Sequence, residues 1–177
     1  GLHHLPDGTQ IEARTLTTTT VRSKNGYDEA GDLIEFVHPW AGRPGVLHTI
    51  QTQHHPEWIA TTAFGTGNTN SYPSTAGFKL ALEGAEVYTS HPDSGASVAE
   101  DIGWIAVSEA SGTVEDADGN SRGYHAGHTS TDYAPRHGDN VDNDAVNCDP
   151  LPNSGVFGFT VVPHVVAQHN SMNGNNG

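Results

Sequence analysis

GFKLALEGAEVYTSHPDSGASVAEDIGWIAV, residues 77–107, holds the two most strand-like runs of the chain, separated by a polar stretch. In the first run Phe78, Leu80 and Leu82 alternate with Lys79, Ala81 and Glu83, and successive side chains of a strand face opposite sides. This run reads as a half-buried strand. In the second, Ile102, Trp104 and Ala106 share one face while Ile105 and Val107 make the other apolar too, which predicts a strand covered on both sides at the centre of a sheet. The intervening TSHPDSGASVAED, residues 89–101, reads as a long hairpin connection between the two.

Working outward, the same period-two alternation recurs upstream. Residues 1–8, GLHHLPDG, read as a lead-in with a solvated His3 and His4. The Thr-rich run QIEARTLTTTTV, residues 10–21, alternates with a polar face that suits an edge or first strand. After a turn marked by Asn25 and Gly26, DLIEFVH (residues 32–38) and VLHTIQTQ (residues 46–53) read as two further strands. His48 falls among apolar neighbours and is expected as a hydrogen-bonded core histidine. In HHPEWIATTAF, His54, His55 and Trp58 stand at a strand end, and the long loop GTGNTNSYPSTAG carries Tyr72. Aromatic faces stack on sugar rings while neighbouring polar groups fix orientation, so Trp58, Tyr72, His54 and His55 are the candidate carbohydrate-binding residues.

Composition agrees with an all-β chain. Gly (21) and Pro (10) are frequent in a sequence of 177 residues, and helical spacing of Ala, Leu, Lys and Glu is missing. A formal charge of −14, with seven Lys and Arg against 21 Asp and Glu, excludes nucleic acid and anionic membrane surfaces as partners, because both require basic patches. It leaves cations as partners and also fits life in high salt. No stretch approaches the roughly 20 apolar residues of a transmembrane helix, so membrane insertion is not expected. The single cysteine, Cys148, has no partner for a disulfide within the chain.

Residues 111–155 read as a polar, acidic loop region between a β-sandwich unit at 9–110 and a pair of strands at 156–177. Two clusters in it, EDADGN (115–120) and DNVDND (139–144), place carboxylates at close spacing around turns. Such oxygens suit Ca²⁺, which takes six to eight of them, and Asp116, Asp118, Asp139, Asp142 and Asp144 are the candidate ligands. DNVDNDAVNCDPLPN also resembles in part the Asp-rich calcium repeats of thrombospondin type. The closing VFGFTVVPHVVAQHNS repeats the pattern of EFVHPWAGRPGVLHTIQTQ, a strand, a Pro and an apolar strand, and reads as a partial second unit or as strands added to the first sheet.

PGVLHTIQTQ, GFKLAL and IGWIAV taken together resemble the H-type lectin domain, over residues 9–107. The resemblance implies a six-stranded antiparallel β-sandwich that assembles through strand packing and binds N-acetylgalactosamine-type sugars at subunit boundaries. Where lectin members carry a His and a Trp that contact sugar, this chain has Glu83, Gly84 and Ala85. No phosphate loop, nucleophile elbow or His-Glu-x-x-His motif is present, so no catalytic residues are assigned and an enzyme is not expected. The expected function is an extracellular or cell-surface subunit of a fibre, sheath or adhesin that assembles with its own copies by sharing strands. The alternative is a carbohydrate-binding module of the H-type class. Residues 10–21 are the strand expected to be exchanged between copies.

Overall fold

The computed structural model describes residues 1–22, 30–55, 59–67, 71–83, 98–127 and 166. They form ten strands and no helix: β1 (Leu2–His4), β2 (Gln10–Thr18), β3 (Val21–Arg22), β4 (Asp32–Glu35), β5 (Gly45–Ile50), β6 (Ala60–Phe64), β7 (Gly77–Glu83), β8 (Glu100–Val107), β9 (Ala110–Glu115) and β10 (Ser121–Ala126). One sheet has the order β1-β2-β8-β5, antiparallel throughout. The other is built around β7. Leu82 pairs with both Thr61 of β6 and Val21 of β3, and Leu80 pairs with both Ala63 of β6 and Asp32 of β4. A strand has two edges, so β6 takes one side of β7 while β3 and β4 share the other. β9 and β10 form a separate two-stranded ribbon.

The two sheets pack face to face as a β-sandwich, the all-β class that the alternating runs predict. Period-two alternation fixes what each sheet turns inward. From the first sheet these are Val46, Ile102, Trp104 and Ala106; from the second, Ile34, Phe78, Leu80 and Leu82, with Phe36 and Trp40 following β4. Phe78 meets Trp104 edge to face at 5.3 Å between ring centroids, and Phe36 lies 5.7 Å from Phe78 and 5.2 Å from Trp40. Aromatic rings favour such tilted and T-shaped contacts because the edge of one faces the electron-rich plane of another.

Polar side chains stitch the flanks of the sandwich. On one flank His48 of β5 is buried and its Nδ1 lies 2.7 Å from the Thr61 hydroxyl of β6, so the expected core histidine joins the two sheets. On the other, Glu12 of β2 has no exposed surface; its carboxylate accepts from Arg14 and from the Val37 amide at 3.2 Å. Arg14 also donates to the Glu35 carbonyl at 2.6 Å and stacks over Trp104 at 5.2 Å. A carboxylate removed from water needs such donors to offset its desolvation.

Several expectations are revised. β7 and β8 do not pair as a hairpin; each is central to a different sheet, and they meet across the core through Phe78 and Trp104. Their exposure is the reverse of the sequence reading. β7 has Ala81 buried on its outer face, whereas β8 leaves Ile105 43% exposed, because an apolar side chain on a strand does not by itself guarantee a cover. Residues 10–21 are not an edge strand. β2 lies between β1 and β8, paired with β8 over eight residues, and after Thr18 the chain crosses into the other sheet as β3. At that crossing the hydroxyls of Thr18 and Thr20 both donate to Asp32. The β3–β7 pair is parallel, so the second sheet is mixed rather than antiparallel.

The lead-in at residues 1–8 is the edge strand β1 and a tight turn, and the tract at 111–155 opens with the ribbon rather than with an irregular loop. Residues 156–177, read as closing strands, lie outside the described residues apart from Val166, which is in no strand, and Cys148 lies outside them too.

Candidate functional site

Three places hold the side chains that sequence reasoning singles out. The first is the junction of β5 and β8. Glu100, the first residue of β8, is 2% exposed and its carboxylate is surrounded by donors: the Thr52 hydroxyl at 2.5 Å and the amides of His54 and His55 at 2.7 and 2.5 Å. Burial alone raises the pKa of Glu100. The Thr52 hydroxyl, the two amides and the nearby His54 ring more than offset this and hold it below the ordinary carboxylate value. The Thr52 hydroxyl in turn accepts from the Asp101 amide at 2.9 Å, and Thr17 donates to the Asp101 carboxylate at 2.5 Å. Residues 51–55 are thereby strapped to the start of β8.

His54 and His55 are brought to this junction mainly by their backbones. His55 is buried, and the exposed His54 ring has its Nδ1 3.0 Å from the Ala99 carbonyl. A carbonyl only accepts, so Nδ1 carries a proton there. Tyr72 is elsewhere. The Arg43 guanidinium stacks over its ring at 4.5 Å, just before the start of β5, whereas His54 and His55 follow its end. With a rise of about 3.3 Å per residue, the six residues of β5 alone hold the two places roughly 17 Å apart. Trp58 lies outside the described residues. The four candidate sugar-binding residues are therefore not gathered: two sit at one end of a strand, and a third sits at the other.

The third place is the tip of the ribbon. Asp116 and Asp118, the candidate calcium ligands described here, belong to the turn between β9 and β10. One Asp116 oxygen accepts from the Asp118 and Asn120 amides at 3.0 and 2.8 Å, and the other from Arg122 Nε at 2.9 Å. The Asn120 amide first, then Arg122, holds the Asp116 carboxyl below its ordinary range. Its lone pairs thus serve the turn, and Asp118 is exposed. No group of three or more metal-capable side chains occurs among the described residues. Asp139, Asp142 and Asp144 lie outside them.

The ribbon itself is the feature that sequence reasoning missed. It has six residue pairs, from Ala110 with Ala126 to Glu115 with Ser121, and none of its twelve residues is buried. Val114 is 37% exposed near its tip. The signal was Asp118-Gly119, a hairpin dipeptide flanked by alternating residues. The same turn closes β1 onto β2. In each, five residues separate the paired positions, the glycine amide donates back to the first turn residue, and the glycine adopts a left-handed conformation: Gly8 with φ 89° and Gly119 with φ 80°. Glycine takes that conformation without the steric cost a Cβ would impose.

No protein-family model matches the chain, and comparison with curated proteins and with solved structures gave no significant match.

Proposed function

We propose that this chain is an extracellular or cell-surface structural subunit that assembles with copies of itself through β-strand edges, as in a fibre, sheath or adhesin. The observation that carries the reading is the exposed β9–β10 ribbon: twelve paired residues, none buried, project from a sandwich that has its own core. A lone two-stranded ribbon is marginal in water and has open edges to which another strand can add. The strand that takes part is therefore on the ribbon, and not the Thr-rich run at 10–21, of which Ile11–Thr18 are paired with β8 inside the same chain. A charge of −14 on each copy opposes close packing, so assembly by this route strengthens with ionic strength.

The carbohydrate-binding alternative, with its H-type lectin fold, needs Trp58, Tyr72, His54 and His55 to converge, and the separation of Tyr72 from the two histidines argues against it. Calcium enters this reading through Asp139, Asp142 and Asp144. Negative-stain microscopy of the intact chain at low and high salt tests the proposal. Fibres, rings or other regular assemblies are expected; isolated particles of monomer size at every salt concentration would refute it.

A further inference from the structure

The ribbon joins the sandwich through a small polar cluster at its base, and the cluster uses the first turn of the chain as its seat. Tyr124, in the middle of β10, places its hydroxyl 2.6 Å from Asp7 Oδ2 and 2.5 Å from the Thr9 hydroxyl. Asp7 is itself fixed by accepting from the Thr9 amide at 3.0 Å. Asp7 accepts, so the tyrosine donates to it, and the Thr9 hydroxyl then donates to the tyrosine oxygen. Thr9 is buried while Asp7 is exposed, so the tyrosine reaches from the ribbon into the edge of the sandwich. Both of these hydrogen bonds between the ribbon and the sandwich meet at the one tyrosine hydroxyl.

Position 112, opposite Tyr124 in the ribbon, is shaped for the contact. A Cβ on Gly112 would stand 2.0 Å from Asp7 Oδ2 and 2.9 Å from the Tyr124 ring, so the carboxylate lies directly against the glycine backbone. The two strands leave the base of the ribbon at Glu109 and Gly127. Glu109 is exposed, and the backbone of Gly127 lies over Gly45 at the start of β5.

We infer that the β9–β10 ribbon is a hinged arm, pivoting at Glu109 and Gly127, whose position is set by a latch made of Tyr124 on Asp7 and Thr9. With the latch closed the arm lies at a fixed angle to the sheet of β1, β2, β8 and β5. With it open the ribbon loses its seat on the sandwich; it turns, so the strand edges it offers change direction, and its pairing opens more often, because a two-stranded ribbon without support is marginal in water. The inference concerns the single chain and holds whether or not copies assemble.

Hydrogen exchange on the intact chain tests it with two variants that act in different ways. Tyr124→Phe removes the shared hydroxyl. Gly112→Ala keeps every hydrogen-bonding group, and its Cβ displaces the Asp7 carboxylate from its place against the glycine. For each, amides of residues 110–126 should exchange roughly tenfold faster, as expected for loss of a hydrogen bond to a charged group that controls local opening, while amides of β7 and β8 exchange as before. Unchanged ribbon exchange in either variant would overturn the inference. A parallel rise in the ribbon and in β7 and β8 would also overturn it, because Tyr124 would then support the sandwich as a whole.

Discussion

The central strands of the sandwich and the ribbon are built from the same repeat and end in opposite states. β7 and β8 alternate large apolar side chains, so each has a face that leaves water, and the two faces meet through Phe78 and Trp104. β9 and β10 alternate just as regularly, but between small and polar residues such as Ser111, Gly112, Thr113 and Gly123. Their pairing satisfies backbone groups and buries almost nothing. At about 25 cal/mol per Å² of apolar surface removed from water, the first pair of strands has a driving force that the second lacks. The sandwich holds itself together; the ribbon relies on a turn at its tip and a latch at its base.

Substitutions should separate the two regions, beginning with the largest effect. Trp104→Ala removes a side chain that packs on Phe78, Phe36 and Arg14 and should cost about 3 to 5 kcal/mol of folding stability, read from urea unfolding. Glu100→Gln leaves the shape intact and weakens the acceptor for Thr52, His54 and His55; about 1 to 3 kcal/mol is expected at neutral pH. The pH dependence has a definite sign. Because the folded pKa lies below the ordinary value, the stability Glu100 supplies is fully present above the ordinary carboxylate range and is lost as the pH falls through the folded value. The difference in urea midpoint between wild type and Glu100→Gln should therefore shrink on acidification; a constant difference from neutral to strongly acid pH would contradict this.

At the small end, Val114→Asp on the ribbon should change the stability of the single chain by no more than about 0.5 kcal/mol, as surface substitutions usually do. A loss comparable to that of Trp104→Ala would erase the distinction between the two regions.

The sandwich was legible where one periodicity had one meaning. Alternation in residues 77–83 and 100–107 marks both as strands, and the sets it groups on one face, Phe78, Leu80 and Leu82 and Ile102, Trp104 and Ala106, are the ones turned into the core. Pairing was not legible. A polar connection between two apolar runs reads as a hairpin whether its ends lie in one sheet or in two, and nothing in residues 84–99 distinguishes these. Glu12 misleads for a related reason. A carboxylate on the inward face of a Thr-rich strand reads as evidence of an edge until Arg14 and the Val37 amide are seen to satisfy it.

The ribbon was hidden by its composition. Few apolar residues between 110 and 126 suggest an irregular loop, although Asp118-Gly119 carries the turn signal and repeats that of Asp7-Gly8. The candidate sites fared according to distance in sequence. His54 and His55 were found together because they are neighbours, while the place of Tyr72 at the far end of β5 depends on the fold.

The proposed association of copies through the ribbon is open to direct measurement. Light scattering of the intact chain as a function of concentration, with the Val114→Asp variant beside it, measures this directly. The mass of the unmodified chain should rise above that of the monomer with concentration and ionic strength, while the variant should remain monomeric with an unchanged urea midpoint. Monomer mass for the unmodified chain at every concentration, or equal association of the two proteins, would contradict it.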